Sequence, residues 1–262
     1  MRRSVSLRTY GPANLFELAP EVDELVSRTG ASSLHILSVG STGAVIGLPG
    51  YREVGESFVS WVMAAMPHSP EHRHPGNAFA HLRSTTLKTE MTVATADGRL
   101  LGPLPFLLEN TAGRKTRPLV FSMLTEENEG GLLFKRGEFT IETQGWIDMV
   151  DITGRVLDFV AHSGIKEGRV TVYSLDERSP VISIENEMSL ILDTADFIDR
   201  LTRRDGQVER RTAGHIGSAL LGQSLTVPLE AGRPALGTWQ QIMLADLAES
   251  GEKRIMVDVI GE

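Results

Sequence analysis

Cysteine is absent from all 262 residues, which removes disulfides, thiolate nucleophiles and thiolate metal ligands from consideration. Any metal would have to be held by His, Asp, Glu or water. No run of about 18 apolar residues occurs, so nothing reads as a membrane span. The basic N-terminal stretch MRRSVSL is not followed by the apolar core of a signal peptide. A soluble cytoplasmic protein is the expectation. Positive charge is not in excess either: 26 Lys and Arg face 34 Asp and Glu, a net −8, which argues against a nucleic-acid backbone as partner. The acidity is uneven. Residues 1–131 carry 12 basic and 13 acidic side chains, residues 132–262 carry 14 and 21; an acidic half suits bound cations or simply a solvated surface. Phosphate-binding glycine loops, nucleophile elbows and dinucleotide fingerprints are missing, and the glycines of 40–50 do not have those spacings.

What is present is a repeat. Shifted by 134 residues, Thr9 meets Thr143, Gly11 meets Gly145 and Gly30 meets Gly164. Leu18, Val22, Leu25 and Val26 meet Ile152, Val156, Phe159 and Val160; His81 meets His215, Ser84 meets Ser218, and Gly98-Arg99 meets Gly232-Arg233. One offset recurring at both ends of the chain indicates two homologous domains. The expected division is 1–124, an acidic Gly-ended linker over 125–131, and 132–262.

Both copies show the same order of elements. Residues 4–10 and 138–144 alternate like strands; 19–29 and 153–163 have apolar groups at i, i+3 and i+4 and end at a glycine suited to a left-handed helix cap. Strands at 35–39 and 170–173, then 44–48 and 181–184, lead to helices at about 53–66 and 189–201. A short helix opening on His81 or His215 follows, then a strand and a hairpin turn at Asp97-Gly98 or Gly232-Arg233. Strands at 119–123 and 255–260 close the copies. The fold class is α+β, each copy a mostly antiparallel or mixed sheet layer packed with two or three helices.

Polar groups concentrate at a few places. His68, His72, His74 and His81 crowd one stretch; imidazoles so placed suit a metal or acid–base chemistry and equally suit a solvated loop. Glu185 and Glu187 flank a strand end, with Glu177 on the adjoining strand; such carboxylates can bind a divalent cation, act as a base, or guard a strand edge. Trp239 and Gln240 read as ligand contacts or as core-and-rim residues, and Arg99 and Arg233 as anion grips or solvated hairpin tips.

The motifs Gly214-His215-Ile216-Gly217-Ser218-Ala219-Leu220-Leu221-Gly222, Ser224-Leu225-Thr226-Val227-Pro228, Gly232-Arg233 and Gly237-Thr238-Trp239-Gln240 resemble those of the YjbQ-like family, commonly described as secondary thiamine-phosphate synthase. The resemblance spans about 138–262 and extends more weakly, through the duplication, over 4–123. It implies a metal-assisted enzyme acting on a small phosphorylated or carboxylated metabolite, with thiamine-phosphate-synthase-like transfer as the family activity. It also implies a homo-oligomer, a trimer of two-domain chains, without nucleic acid or membrane. Carried over residue by residue, His215, His81, Glu177 and Gln240 are expected to be catalytic, and Trp239, Ser218, Arg233 and Ser179 to touch substrate. His72, His81, His215 and Glu185 are expected to hold a divalent ion (zinc, manganese or magnesium). The chain also departs from the pattern. Glu177 stands where the family has its first histidine, the C-terminal copy lacks the loop histidine, and Gly217 replaces a lysine. The N-terminal copy has Pro103-Leu104-Pro105-Phe106 in place of the Trp-Gln strand. A catalytically inactive relative that binds a ligand or serves in assembly is the alternative.

Overall fold

The first helix shows how the repeat becomes structure. Helix α1 (Ala19–Thr29) buries Val22, Leu25 and Val26, with Leu18 just before it, and stops at Gly30, whose φ of 62° provides the left-handed cap. Each such aliphatic side chain contributes about 1.5–3 kcal/mol relative to an exposed one. Its counterpart α4 (Thr153–Ser163) buries Val156 and Val160 and ends the same way at Gly164, φ 75°.

In this computed structural model residues 1–74, 76–125, 131–203 and 206–262 are described. The chain divides into two compact units, Met1–Leu124 and Thr125–Glu262. Of the expected linker, residues 126–130 lie outside the described residues.

The N-terminal unit contains β1 (Arg2–Gly11), β2 (Asn14–Glu17), α1, β3 (Ser33–Ser38), β4 (Gly43–Leu48), α2 (Arg52–Ala65) and α3 (Ala78–Leu87). It continues with β5 (Glu90–Ala96), β6 (Arg99–Leu100), β7 (Leu104–Glu109) and β8 (Gly113–Leu124). The C-terminal unit repeats the order with β9 (Leu133–Gly145), β10 (Asp148–Asp151), α4, β11 (Gly168–Ser174), β12 (Val181–Glu185), α5 (Met188–Arg203) and α6 (Arg210–Leu221). Strands β13 (Ser224–Glu230), β14 (Arg233–Pro234), β15 (Gln240–Asp246) and β16 (Glu249–Gly261) complete it.

Each unit has two antiparallel sheets rather than one layer. In the first, a five-stranded sheet runs β1-β8-β3-β5-β6 and a three-stranded sheet β2-β7-β4; in the second the orders are β9-β16-β11-β13-β14 and β10-β15-β12. Strand for strand the two are the same. The cores are correspondingly placed, with Leu18, Val22, Leu34, Ile36, Leu107, Leu119 and Phe121 in one and Ile152, Val156, Val170, Val172, Leu244, Val257 and Val259 in the other. The α+β class and the two homologous sheet-rich halves are as expected.

Several local expectations need correction. Helix α6 begins at Arg210, so His215 sits mid-helix rather than at its start; Arg210-Arg211-Thr212 carry no breaker and extend it backwards. Trp239 lies in a turn, and β15 starts only at Gln240. Glu177 is in the β11–β12 turn, not on a strand. The short strands β2 and β10 carry too few residues for a readable alternation.

Candidate functional site

His215 is 2 % exposed and Ser218 fully buried. Three residues apart on α6, they are neighbours on the helix surface. Among the described residues, neither imidazole nitrogen of His215 nor the Ser218 hydroxyl has a hydrogen-bond partner. Glycines fix the depth of α6. A Cβ on Gly214 would stand 2.4 Å from the Leu247 carbonyl oxygen and one on Gly217 2.5 Å from Leu247 Cδ1, so the helix backbone lies directly on the turn between β15 and β16. The same Gly214 position is 3.2 Å from Arg178 Cδ, which puts the β11–β12 turn beside His215.

That turn is built on carboxylates. Asp176 Oδ1 accepts the Arg178 amide at 2.8 Å and lies 3.2 Å from Ser179 Oγ. Ser179 Oγ also donates to Asp246 Oδ1 at 3.0 Å. Asp246 is fully buried and accepts Thr143 Oγ1 at 2.6 Å and the Ala248 amide at 2.9 Å. Lys253 Nζ stands 3.5 Å from Asp246 and 3.9 Å from Asp176. Arg178 grips Glu249 with two bonds, 3.2 and 2.6 Å, and these hold the Glu249 carboxyl down at about 2. Arg211 is exposed.

This setting determines protonation. Burial, then the Arg178 and Arg211 charges, push the His215 pKa down to about 4; the Glu177 backbone and Asp176 pull weakly the other way, the former without reaching hydrogen-bond geometry. Glu177 moves upward, first through burial and then through Asp176. A neutral imidazole thus lies beside a turn whose Glu177 carboxyl holds its proton more readily than usual.

The turn that holds Glu177 and Ser179 therefore lies beside the helix that carries His215 and Ser218. Other expected residues of this unit do not join them. Glu185 pairs opposite Gln240, six residues along β15 from Asp246, about 20 Å at ~3.4 Å per residue. Gln240 bonds to Ser183 Oγ and accepts the Gly237 amide at 3.0 Å, and Trp239 is 70 % exposed. Arg233 stands at the β13–β14 tip against Glu230, also about six residues from the Ser224 end of its sheet. In the other unit His81 lies against His74, ring centroids 5.1 Å apart, and His72 is held by a backbone bond to Ser69. Among the described residues no three His, Asp or Glu side chains are grouped to hold a metal. Within the C-terminal unit Glu185 is at the far end of β15 from the turn on which α6 packs, and the guanidinium charges beside His215 oppose a cation there as they oppose a proton.

The N-terminal unit carries a parallel arrangement. Glu109, fully buried, accepts Thr9 Oγ1 at 2.9 Å and Arg117 through Nε and Nη2 at 3.0 and 2.7 Å. Thr9, Glu109 and Arg117 occupy the places of Thr143, Asp246 and Lys253. Ser84, the counterpart of Ser218, donates to the Gly43 carbonyl at 2.9 Å. Sequence reasoning missed both carboxylate–cation pairs, although Thr9 and Thr143 signal them.

Comparison with known proteins places the chain. The model for UPF0047 protein YjbQ-like matches residues 137–262. A UPF0047 protein of Methanothermobacter thermautotrophicus is 32 % identical over 130 residues, 48 % of this chain and 91 % of that protein. One from Synechocystis is 32 % identical over 131 residues, 47 % and 88 % of the two chains. Among solved structures, a YbjQ-like protein of unknown function from Sulfolobus solfataricus is 26 % identical, with a TM-score of 0.47, covering 50 % of this chain and 99 % of its own. By the extent and identity of the first of these relatives, the chain belongs to the YjbQ-like UPF0047 family.

Proposed function

We propose that the C-terminal unit binds a small phosphorylated or carboxylated metabolite, with Arg211 and Arg178 drawing the anion and His215 accepting a hydrogen bond or proton from it. Glu177 is the second proton-handling group, and Ser179 and Ser218 orient the ligand. The observation that carries this reading is the orphaned pair on α6. Unpaired buried polar groups cost about 1–3 kcal/mol each, and a ligand that bonds to His215 and Ser218 removes that cost. Neutral His215 is already in the form a general base needs. Thiamine-phosphate-synthase-like transfer is the finer form of the proposal. Its reactants, a pyrimidine pyrophosphate and a thiazole phosphate, are both anions, and expelled pyrophosphate suits an arginine pair. A divalent ion on His215 and Glu185 is not part of it, because the geometry keeps those two apart.

One observation favours binding without turnover. The residue that replaces the family lysine, Gly217, faces Leu247 Cδ1 so closely that a Cβ would stand 2.5 Å away, so no lysine fits at that position and Arg211 is left as the cation of this helix that acts on His215. Titration calorimetry of the full chain with pyrophosphate tests the proposal, and a pyrophosphate-release assay with both reactants separates transfer from binding alone. Arg211→Ala and His215→Gln are each expected to weaken pyrophosphate binding about tenfold. Unchanged affinity in both variants overturns the reading.

A further inference from the structure

The N-terminal unit has a cavity of about 430 Å³ between β2, the β4–α2 turn, the first two turns of α2 and β7, within the size range of small-molecule sites. Its walls are apolar, with Leu15, Val59 and Phe106 half-buried around it and Leu48 buried beneath. Gly55 keeps it open: a Cβ there would stand 3.3 Å from Leu15 Cδ1. Tyr51, 55 % exposed, stands at the rim, giving the cavity two aromatic rings. The charges at the mouth do not balance. Glu56 is taken by Arg52, 2.7 Å away, which leaves the exposed Glu17 carboxylate over.

The duplicate makes that carboxylate informative. Asp151 occupies the position of Glu17, at the end of β10 as Glu17 is at the end of β2. Asp151 is committed internally, accepting the Thr153 amide at 2.9 Å and Asn186 Nδ2 at 3.1 Å. Glu17 has no such bond among the described residues. One copy thus uses this carboxylate to tie its own chain, whereas the other turns it to the mouth of an apolar cavity.

We propose that this cavity binds a small aromatic amine, its ring against Phe106, Tyr51 and Val59 and its ammonium on Glu17. Apolar walls supply burial, the rings add cation–π attraction, and the uncompensated carboxylate selects positive charge.

Calorimetry of the full chain with tryptamine and with indole-3-propionate, of similar shape but opposite charge, provides the test. Tryptamine is expected to bind at least about tenfold more tightly. Glu17→Gln is expected to remove that preference and Tyr51→Ala to weaken tryptamine; both residues are exposed, and circular dichroism verifies the fold. Equal binding of the two probes, tryptamine affinity unchanged in Glu17→Gln, or no saturation by about 10 mM overturns the proposal.

Discussion

Replacing a proposed ligand-handling histidine by leucine is expected to stabilise this protein. In His215→Leu two buried nitrogens without partners among the described residues are exchanged for an apolar side chain of similar size, at a position 2 % exposed. Removing such unsatisfied groups is worth about 1–3 kcal/mol. A second effect depends on pH. The His215 pKa falls from 6.5 to about 4 on folding, so between those values the unfolded chain binds a proton that the folded chain does not. Stability of the wild type therefore declines as pH falls through this window, by about 3 kcal/mol across it at 1.36 kcal/mol per unit. About 2 kcal/mol of that is lost by pH 5, and the leucine variant lacks this dependence. Urea unfolding followed by tryptophan fluorescence at pH 7 and pH 5 measures both effects. The variant should equal or exceed the wild type at pH 7, and its advantage should widen at pH 5. A variant less stable by more than about 1 kcal/mol at pH 7, or a gap that does not widen, refutes the reasoning.

The buried pair in the other unit should behave in the opposite way. Glu109→Gln leaves Arg117, 8 % exposed, without its countercharge and is expected to cost about 3–5 kcal/mol at pH 7, whereas Glu109→Leu with Arg117→Met recovers most of it; thermal melting of the three proteins decides. Burial alone would raise the Glu109 pKa, but bonds from Arg117, the Thr111 amide and Thr9 and the Arg117 charge hold it below 4.5. Its contribution is thus complete above that value and disappears as pH falls through the lower folded pKa, where wild type and Glu109→Gln should converge. At the helix-seating glycine, Gly214→Ala forces a Cβ to within 2.4 Å of the Leu247 carbonyl oxygen and is expected to destabilise by about 1–3 kcal/mol, a loss that chemical denaturation would reveal.

Much of the fold was readable because helix periodicity and capping glycines repeat at one offset. Val22 and Val156, or Gly30 and Gly164, mark the same places in two helices, and the structure gives these helices the same ends. The pairing of strands into two sheets was not readable, since β2 and β10 have only four residues each. At the site, His215 and Ser218 stood out as repeated residues, and their helix packs beside the turn that holds Glu177 and Ser179. Trp239 and Gln240 were expected from the family motif and Glu185 from its grouping with other carboxylates; Glu185 and Gln240 lie opposite each other, six residues along β15 from Asp246. Asp246 and Lys253 escaped notice for a different reason. Their counterparts Glu109 and Arg117 differ in type, and the offsets of 137 and 136 fall outside the 134-residue match.

Each unit closes on itself through its ends, and this has a kinetic consequence. The first strand of each unit pairs with the last, β1 with β8 and β9 with β16. The buried bonds Thr9–Glu109 and Thr143–Asp246 join residues 100 and 103 positions apart. Contacts so distant along the chain form late and slow folding. During synthesis the first unit cannot complete its large sheet until the residues of β8 have left the ribosome. Until then the paired faces of β1 and β3 lack the strand that lies between them, and that open slot is where the nascent chain is most exposed to mispairing.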